Sequence, residues 1–138
     1  AVEEIDFPQE LWFSSGNIVT NGGKIYLLGS LSDKCFLYSM DADGTNAKLL
    51  ASCDDGNEFW YSCCADGDMI YLYDSYNHRL VNYNTVGEKL GYITLPDDIV
   101  ADKTAAANGK AYLLKDKRRD GGGRFRTQGF RTGKSCRE

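Results

Sequence analysis

Lys24-Ile25-Tyr26-Leu27-Leu28, Met69-Ile70-Tyr71-Leu72-Tyr73 and Lys110-Ala111-Tyr112-Leu113-Leu114 are one short strand written three times. Each copy follows a glycine-bearing turn: Asn21-Gly22-Gly23, Asp66-Gly67-Asp68 and Asn108-Gly109. The copies stand 45 and 41 residues apart. Several short strands per unit, recurring about every 40–50 residues, are the sequence signature of a β-propeller. The competing reading is an ordinary β-sandwich whose strands alternate alike by chance. A second match favours the propeller. Phe7-Pro8-Gln9-Glu10-Leu11 aligns with Leu95-Pro96-Asp97-Asp98-Ile99 at an offset of 88, and these segments hold the only two prolines.

Working outward, the units read as successive antiparallel hairpins. In the first, Asn17 to Thr20, Lys24 to Gly29, Cys35 to Met40 and Lys48 to Ser52 are strands. In the second they are Phe59 to Cys64, Met69 to Asp74, Arg79 to Asn84 and Lys89 to Leu95. The third begins around Ile99 to Ala107 and reaches Leu114. Gly with Asn or Asp between alternating apolar stretches is the expected hairpin chemistry. The fold class expected is all-β: a partial β-propeller of about two and a half to three four-stranded antiparallel blades over residues 1–114. A ring usually needs at least about four blades. The chain therefore reads as part of a larger propeller, or as a homo-oligomer that closes one.

The repeat stops at residue 114. Residues 115–138 carry nine Lys/Arg against three Asp/Glu, whereas 1–114 carry seven against 17. This Gly/Arg-rich stretch is expected to be a solvated, disordered tail or a non-native continuation such as a shifted reading frame. A third reading is an RNA-binding tail, with Arg on phosphates and Phe125 and Phe130 stacked on bases. The acidic body argues against an extended nucleic-acid surface, so nucleic acid is not the expected partner.

No apolar run of about 18 residues exists, so no membrane-spanning helix is expected. The start Ala1-Val2-Glu3-Glu4 lacks an initiator Met and suits a mature exported protein, extracellular or periplasmic, or an excised segment. Cys35, Cys53, Cys63, Cys64 and Cys136 show no metal-ligand spacing, and His78 is the only histidine. The thiols read as small apolar core residues. The alternative, in an oxidising compartment, is a bridge from Cys53 to Cys63 or Cys64.

Asp74-Ser75-Tyr76-Asn77-His78-Arg79-Leu80 resembles an NHL repeat, in which a strand ends in Asp and Asn-His-Arg opens the next. Val86-Gly87-Glu88-Lys89-Leu90 is similar to that family's exit turn. The first unit departs from it, with Ser32-Asp33-Lys34-Cys35 in place of Asn-His-Arg. Its Asp41-Ala42-Asp43-Gly44-Thr45-Asn46 looks instead like the Tol-type periplasmic propellers. The Phe-Pro-Gln-Glu and Leu-Pro-Asp-Asp segments are similar to six-bladed propeller proteins of Bacteroidetes. Together these resemblances imply a six-bladed-propeller relative. They carry no particular chemistry, because such propellers include binding proteins, scaffolds, lyases and lactonases.

No catalytic or metal-ligating set is readable, and no cofactor is implied. Asp41-x-Asp43-Gly44-x-Asn46 lacks the glycine and glutamate positions of an EF-hand, and reads as a turn. Asn77 and His78 read as hairpin-shaping. Binding candidates come from the loop between units, Asp54, Asp55 and Glu58, and from aromatics near loops, Trp12, Trp60 and Tyr76. Flat aromatic faces suit a sugar ring or peptide. The function expected is a non-catalytic binding or interaction module whose inter-blade loops take a protein, peptide or glycan. Its alternatives are a metal-dependent propeller hydrolase or lyase, and RNA binding through the tail.

Overall fold

The structure, a computed structural model, describes residues 17–116 and 125–131. They form three antiparallel sheets. The first holds β1 (Ile18–Asn21), β2 (Lys24–Leu31), β3 (Lys34–Asp41) and β4 (Lys48–Cys53). The second holds β5 (Trp60–Asp66), β6 (Met69–Asp74), β7 (Arg79–Asn84) and β8 (Lys89–Thr94). The third holds β9 (Ile99–Ala107), β10 (Lys110–Asp116) and β11 (Phe125–Arg131). Within each sheet strands pair in chain order, so every blade is a meander.

Local chemistry explains the hairpins. At the β1–β2 turn Gly22 and Gly23 both take positive φ, 59° and 76°. That backbone matches the twist of the flanking strands and is open chiefly to Gly, Asn and Asp. Asn108 and Gly109 do the same at the β9–β10 turn, with φ 53° and 73°.

Alternation along each strand then decides what is buried. Tyr26, Leu28, Cys35 and Leu37 leave the first sheet on one side and meet Trp60, Cys63, Ile70, Leu72, Val81 and Tyr83 of the second. Tyr71, Leu80 and Cys64 leave the second sheet on its other side and meet Ile99, Ala101, Ala111 and Leu113 of the third. The middle sheet is thus covered on both faces. This is why Ile70-Tyr71-Leu72 reads as a continuous apolar run and is wholly buried. The repeated tyrosines keep one orientation: Tyr26 faces sheet two and Tyr71 faces sheet three. Leu27, Tyr38 and Met40 lie on the far face of the first sheet, 1–8% exposed.

The first strand of each blade is innermost, with β5 lying beside both β1 and β9. Inner-strand bonds cross the blade boundaries. Asn21 Nδ2 donates to Gly67 O (2.7 Å), Gly109 N–H donates to Asp66 Oδ2 (2.8 Å), and Ser62 Oγ donates to Ala101 O (3.3 Å).

β11 comes from the stretch assigned to a basic tail from sequence. Its backbone pairs with β10 from Lys110↔Arg131 to Asp116↔Phe125. Ladder bonds are made by the main chain, so a polar sequence can supply a strand where a neighbouring edge is open. Trp12 and Cys136 lie outside the described residues.

Candidate functional site

Up-and-down strands sort the connections onto two mouths. One mouth gathers the β2–β3 turn (residues 32–33), the β4–β5 connector (54–59), the β6–β7 turn (75–78) and the β8–β9 connector (95–98). Asp33, Asp54, Asp55, Asp97 and Asp98 all sit there. The opposite mouth carries the tight turns, including Asp41–Asn46. That loop is closed on itself: Asn46 Nδ2 donates to Asp41 Oδ2 (2.6 Å), and Thr45 N–H and Oγ1 donate to Asp43 Oδ1 (3.0 and 2.6 Å). Lys24 Nζ also bonds Asp41. The Lys24 and Asn46 bonds hold the Asp41 carboxyl below the usual range.

Asp74 organises the first mouth. It ends β6 fully buried. Its Oδ1 accepts the N–H groups of Phe59 and Tyr76, each at 3.1 Å. Its Oδ2 accepts Asn77 Nδ2 (2.7 Å) and Arg79 Nε (2.8 Å). One carboxylate therefore ties the connector from the previous blade to its own hairpin. A buried carboxylate is tolerated only when so satisfied.

The pattern continues outward. Arg79 Nη2 reaches Glu58 Oε2 at 3.0 Å, and Lys89 Nζ reaches Glu58 Oε1 at 3.3 Å. The Arg79 guanidinium lies 4.3 Å from the centre of the Tyr92 ring. Burial works against its charge, but the bonds to Glu58 and Asp74 outweigh that and raise its pKa. Asn77 Nδ2 also donates to Asn57 O (2.8 Å). His78 takes φ 49°; its Nε2 bonds Pro96 O and its Nδ1 bonds Tyr73 Oη, both at 2.8 Å. A carbonyl only accepts, so Nε2 donates to Pro96 O, and in the neutral ring Nδ1 accepts from the tyrosine. Asn77 and His78 are hairpin-shaping groups, each also bound to a neighbouring connector.

The sequence candidates divide by burial. Asp54 and Asp55 are exposed on the connector. Asp55 Oδ1 accepts Asn57 N–H (2.9 Å), which with the Asn57 side chain holds its carboxyl low. Glu58 is 8% exposed and neutralised by Arg79 and Lys89. Trp60 is 2% exposed, edge-on to Tyr83 at 5.5 Å, so its ring belongs to the first core and not to the mouth surface. Tyr76 is 56% exposed and lies against Phe59 at 5.8 Å. The connector that carries Asp54 and Asp55 and the turn that carries Tyr76 thus share one mouth, with Tyr76 against Phe59. Sequence reading missed Phe59, Arg79 and Lys89 as parts of the site, and gave Asp74 no role. The only sequence signal for Asp74 and Arg79 was their place in the Asp-x-x-Asn-His-Arg string.

Among the described residues no three His, Cys, Asp or Glu side chains are grouped to hold a metal. Cys35, Cys53, Cys63 and Cys64 are free and buried. Burial pushes Cys63 up to about 12, and Cys35, Cys53 and Cys64 up to about 11.

The blade geometry has a counterpart among solved structures. The chain is similar to a chain in the crystal structure of a nidogen/laminin complex, with a TM-score of 0.53 and 18% sequence identity. The fold is a β-propeller arc. The match covers 67% of this chain and 35% of that one, so this chain spans about a third of its neighbour's length. No protein-family model matches the sequence, and no curated protein matches it.

Proposed function

We propose that the chain is a non-catalytic interaction module, and that the mouth built by residues 54–59 and 75–78 is its binding surface. The exposed Tyr76 ring, laid against Phe59 on loops that Asp74 fixes from below, is the observation that carries this reading. A preformed aromatic on a locked loop binds with little loss of side-chain freedom. Tyrosine is also among the residues that anchor protein interfaces. Asp54 and Asp55, exposed on the same mouth, favour a basic partner, and charge complementarity of this kind steers encounter. The solved neighbour comes from a complex of nidogen with laminin, and a protein or peptide partner is therefore our first choice here, with a glycan second. Within the propeller fold we place the second blade nearest the NHL type, on Asp74, Asn77, His78 and Arg79, in a six-bladed relative. We also place the chain outside the cytoplasm.

The test is a peptide and oligosaccharide array probed with the chain and with Tyr76→Ala and Asp54→Ala. Ligands retained by the wild-type chain should bind Tyr76→Ala about tenfold or more weakly, and basic ligands should weaken with Asp54→Ala and with salt. Ligands that bind both variants unchanged would place the surface elsewhere.

A further inference from the structure

We propose that Cys35 and Cys53 are the two halves of a cross-strand disulfide, which the chain closes in the presence of a disulfide oxidant such as oxidised glutathione. Cys35 on β3 stands directly opposite Cys53 on β4 in the ladder. Opposed residues of an antiparallel pair share one face, with Cα atoms about 4.5 or 5.5 Å apart. Both spacings fall within the roughly 4.4–6.8 Å that a disulfide spans. Both side chains belong to the same buried cluster.

The other described pairings lack this ladder opposition. Cys63 and Cys64 are successive residues of β5 and point to opposite faces of its sheet. Cys64 is turned toward the third sheet, so the second sheet stands between it and Cys53. Cys63 faces the first core from across the sheet interface. It lies three positions along β5 from Trp60, whose N–H Cys35 accepts, and it has Leu72 of β6 as its ladder partner, not Cys35 or Cys53. The bridge from Cys53 to Cys63 or Cys64 considered from sequence is replaced by one within the first blade.

The two thiols also share a present task. Cys53 Sγ donates to Glu58 O (3.2 Å), and Cys35 Sγ accepts Trp60 N–H (3.2 Å). Together they hold the β5 end of the connector that carries Asp54 and Asp55. In the exchange, one thiolate attacks the oxidant's disulfide and releases one thiol; the second attacks the chain's sulfur in the resulting mixed disulfide and displaces the other. The chain gives up two protons and two electrons, one S–S bond forms, and the oxidant leaves as two thiols. The bridge staples β4 to β3 and removes the S–H donor from Glu58 O. Oxidation thus tightens the blade while loosening the connector. This inference is independent of what the mouth binds.

The experiment is to refold the full chain in a glutathione redox buffer, block free thiols, and map disulfides by mass spectrometry without reduction. The expected result is a Cys35–Cys53 peptide pair in most chains, preserved in Cys63→Ala and lost on adding dithiothreitol. The oxidised chain should melt several degrees higher. Its Trp60 amide should exchange hydrogen about tenfold faster than in the reduced chain. Free thiols at both positions, or a majority pairing of either with Cys63, Cys64 or Cys136, would overturn the proposal. Because the wild-type chain carries the test, a variant that fails to fold does not blunt it.

Discussion

Blade 1 turns from its second to its third strand through Ser32 and Asp33 alone, whereas blade 2 uses Ser75 to His78. The strands on either side are near copies, yet the groups that hold the mouth differ in kind. Where blade 2 has Asp74 at the end of its second strand, blade 1 has Gly29 at the aligned position. Blade 2 grips the connector with a buried carboxylate that accepts four hydrogen bonds. Blade 1 grips the same connector with two thiols. One backbone scaffold can therefore anchor a loop by charge or by sulfur, with different vulnerabilities. Removing the charge leaves ionic partners stranded, whereas the thiols are exposed to alkali and to oxidants.

Alkali should break the sulfur side most completely. A thiol raised from 9.0 to about 11 by burial keeps its proton longer in the folded chain than in the unfolded one. Its contribution is fully present below pH 9 and is lost as pH rises through about 11. Cys63, Cys64 and Tyr83 shift in the same direction for the same reason. Under reducing conditions, circular dichroism should show unfolding between pH 9 and 11. A chain still folded at pH 12 would mean that these groups are not buried as described.

The charged side is tested by Asp74→Ala. It leaves Arg79 without one of its two carboxylates and two backbone N–H groups unpaired, at a cost of about 3–5 kcal/mol in urea unfolding. The same removal at blade 1, Cys35→Ala, should cost about half as much. Equal costs would erase the contrast between the two grips.

Gly87 tests the seam between the blades farther out. It has φ 94°, and a Cβ there would run into the Leu50 carbonyl of β4. Gly87→Ala should destabilise by about 1–3 kcal/mol. Asn82 works in the opposite direction. It is 1% exposed, and among the described residues neither polar atom of its side chain has a hydrogen-bond partner. Asn82→Leu should gain about 1 kcal/mol. The smallest effect belongs to the mouth surface itself: Tyr76→Ala should leave stability within about 0.5 kcal/mol while weakening ligand binding.

The strands were legible in the sequence because their period and turn residues are local. Predicted bounds for β1 to β9 fall within two residues of those observed. The blade-to-blade packing follows the same repeat, with Tyr26 and Tyr71 each turned toward the next sheet. The mouth was harder to read. Asp54, Asp55 and Glu58 look alike as a run of acids, and only the fold brings Arg79 and Lys89 onto Glu58. Trp60 and Tyr76 both lie near loops, but Trp60 opens β5 and the pleat turns it into the core, whereas Tyr76 sits in the β6–β7 turn and faces solvent. β11 escaped because a basic strand has no apolar alternation to announce it. Cys35 and Cys53 are 18 positions apart, and their pairing depends on a register shift between Leu37 and Tyr38 that no composition reveals.

The central claim is that Asp74 fixes the shape of the mouth from beneath. Residue-resolved hydrogen exchange on the wild-type chain tests it most directly. The amides of Phe59 and Tyr76, both bonded to Asp74 Oδ1, should be protected about as well as their strand neighbours and lose that protection in Asp74→Ala. If both amides exchange in the wild-type chain as fast as those of exposed Asp54 and Gly56, the mouth is not held by Asp74, and the preformed binding surface proposed here falls with it.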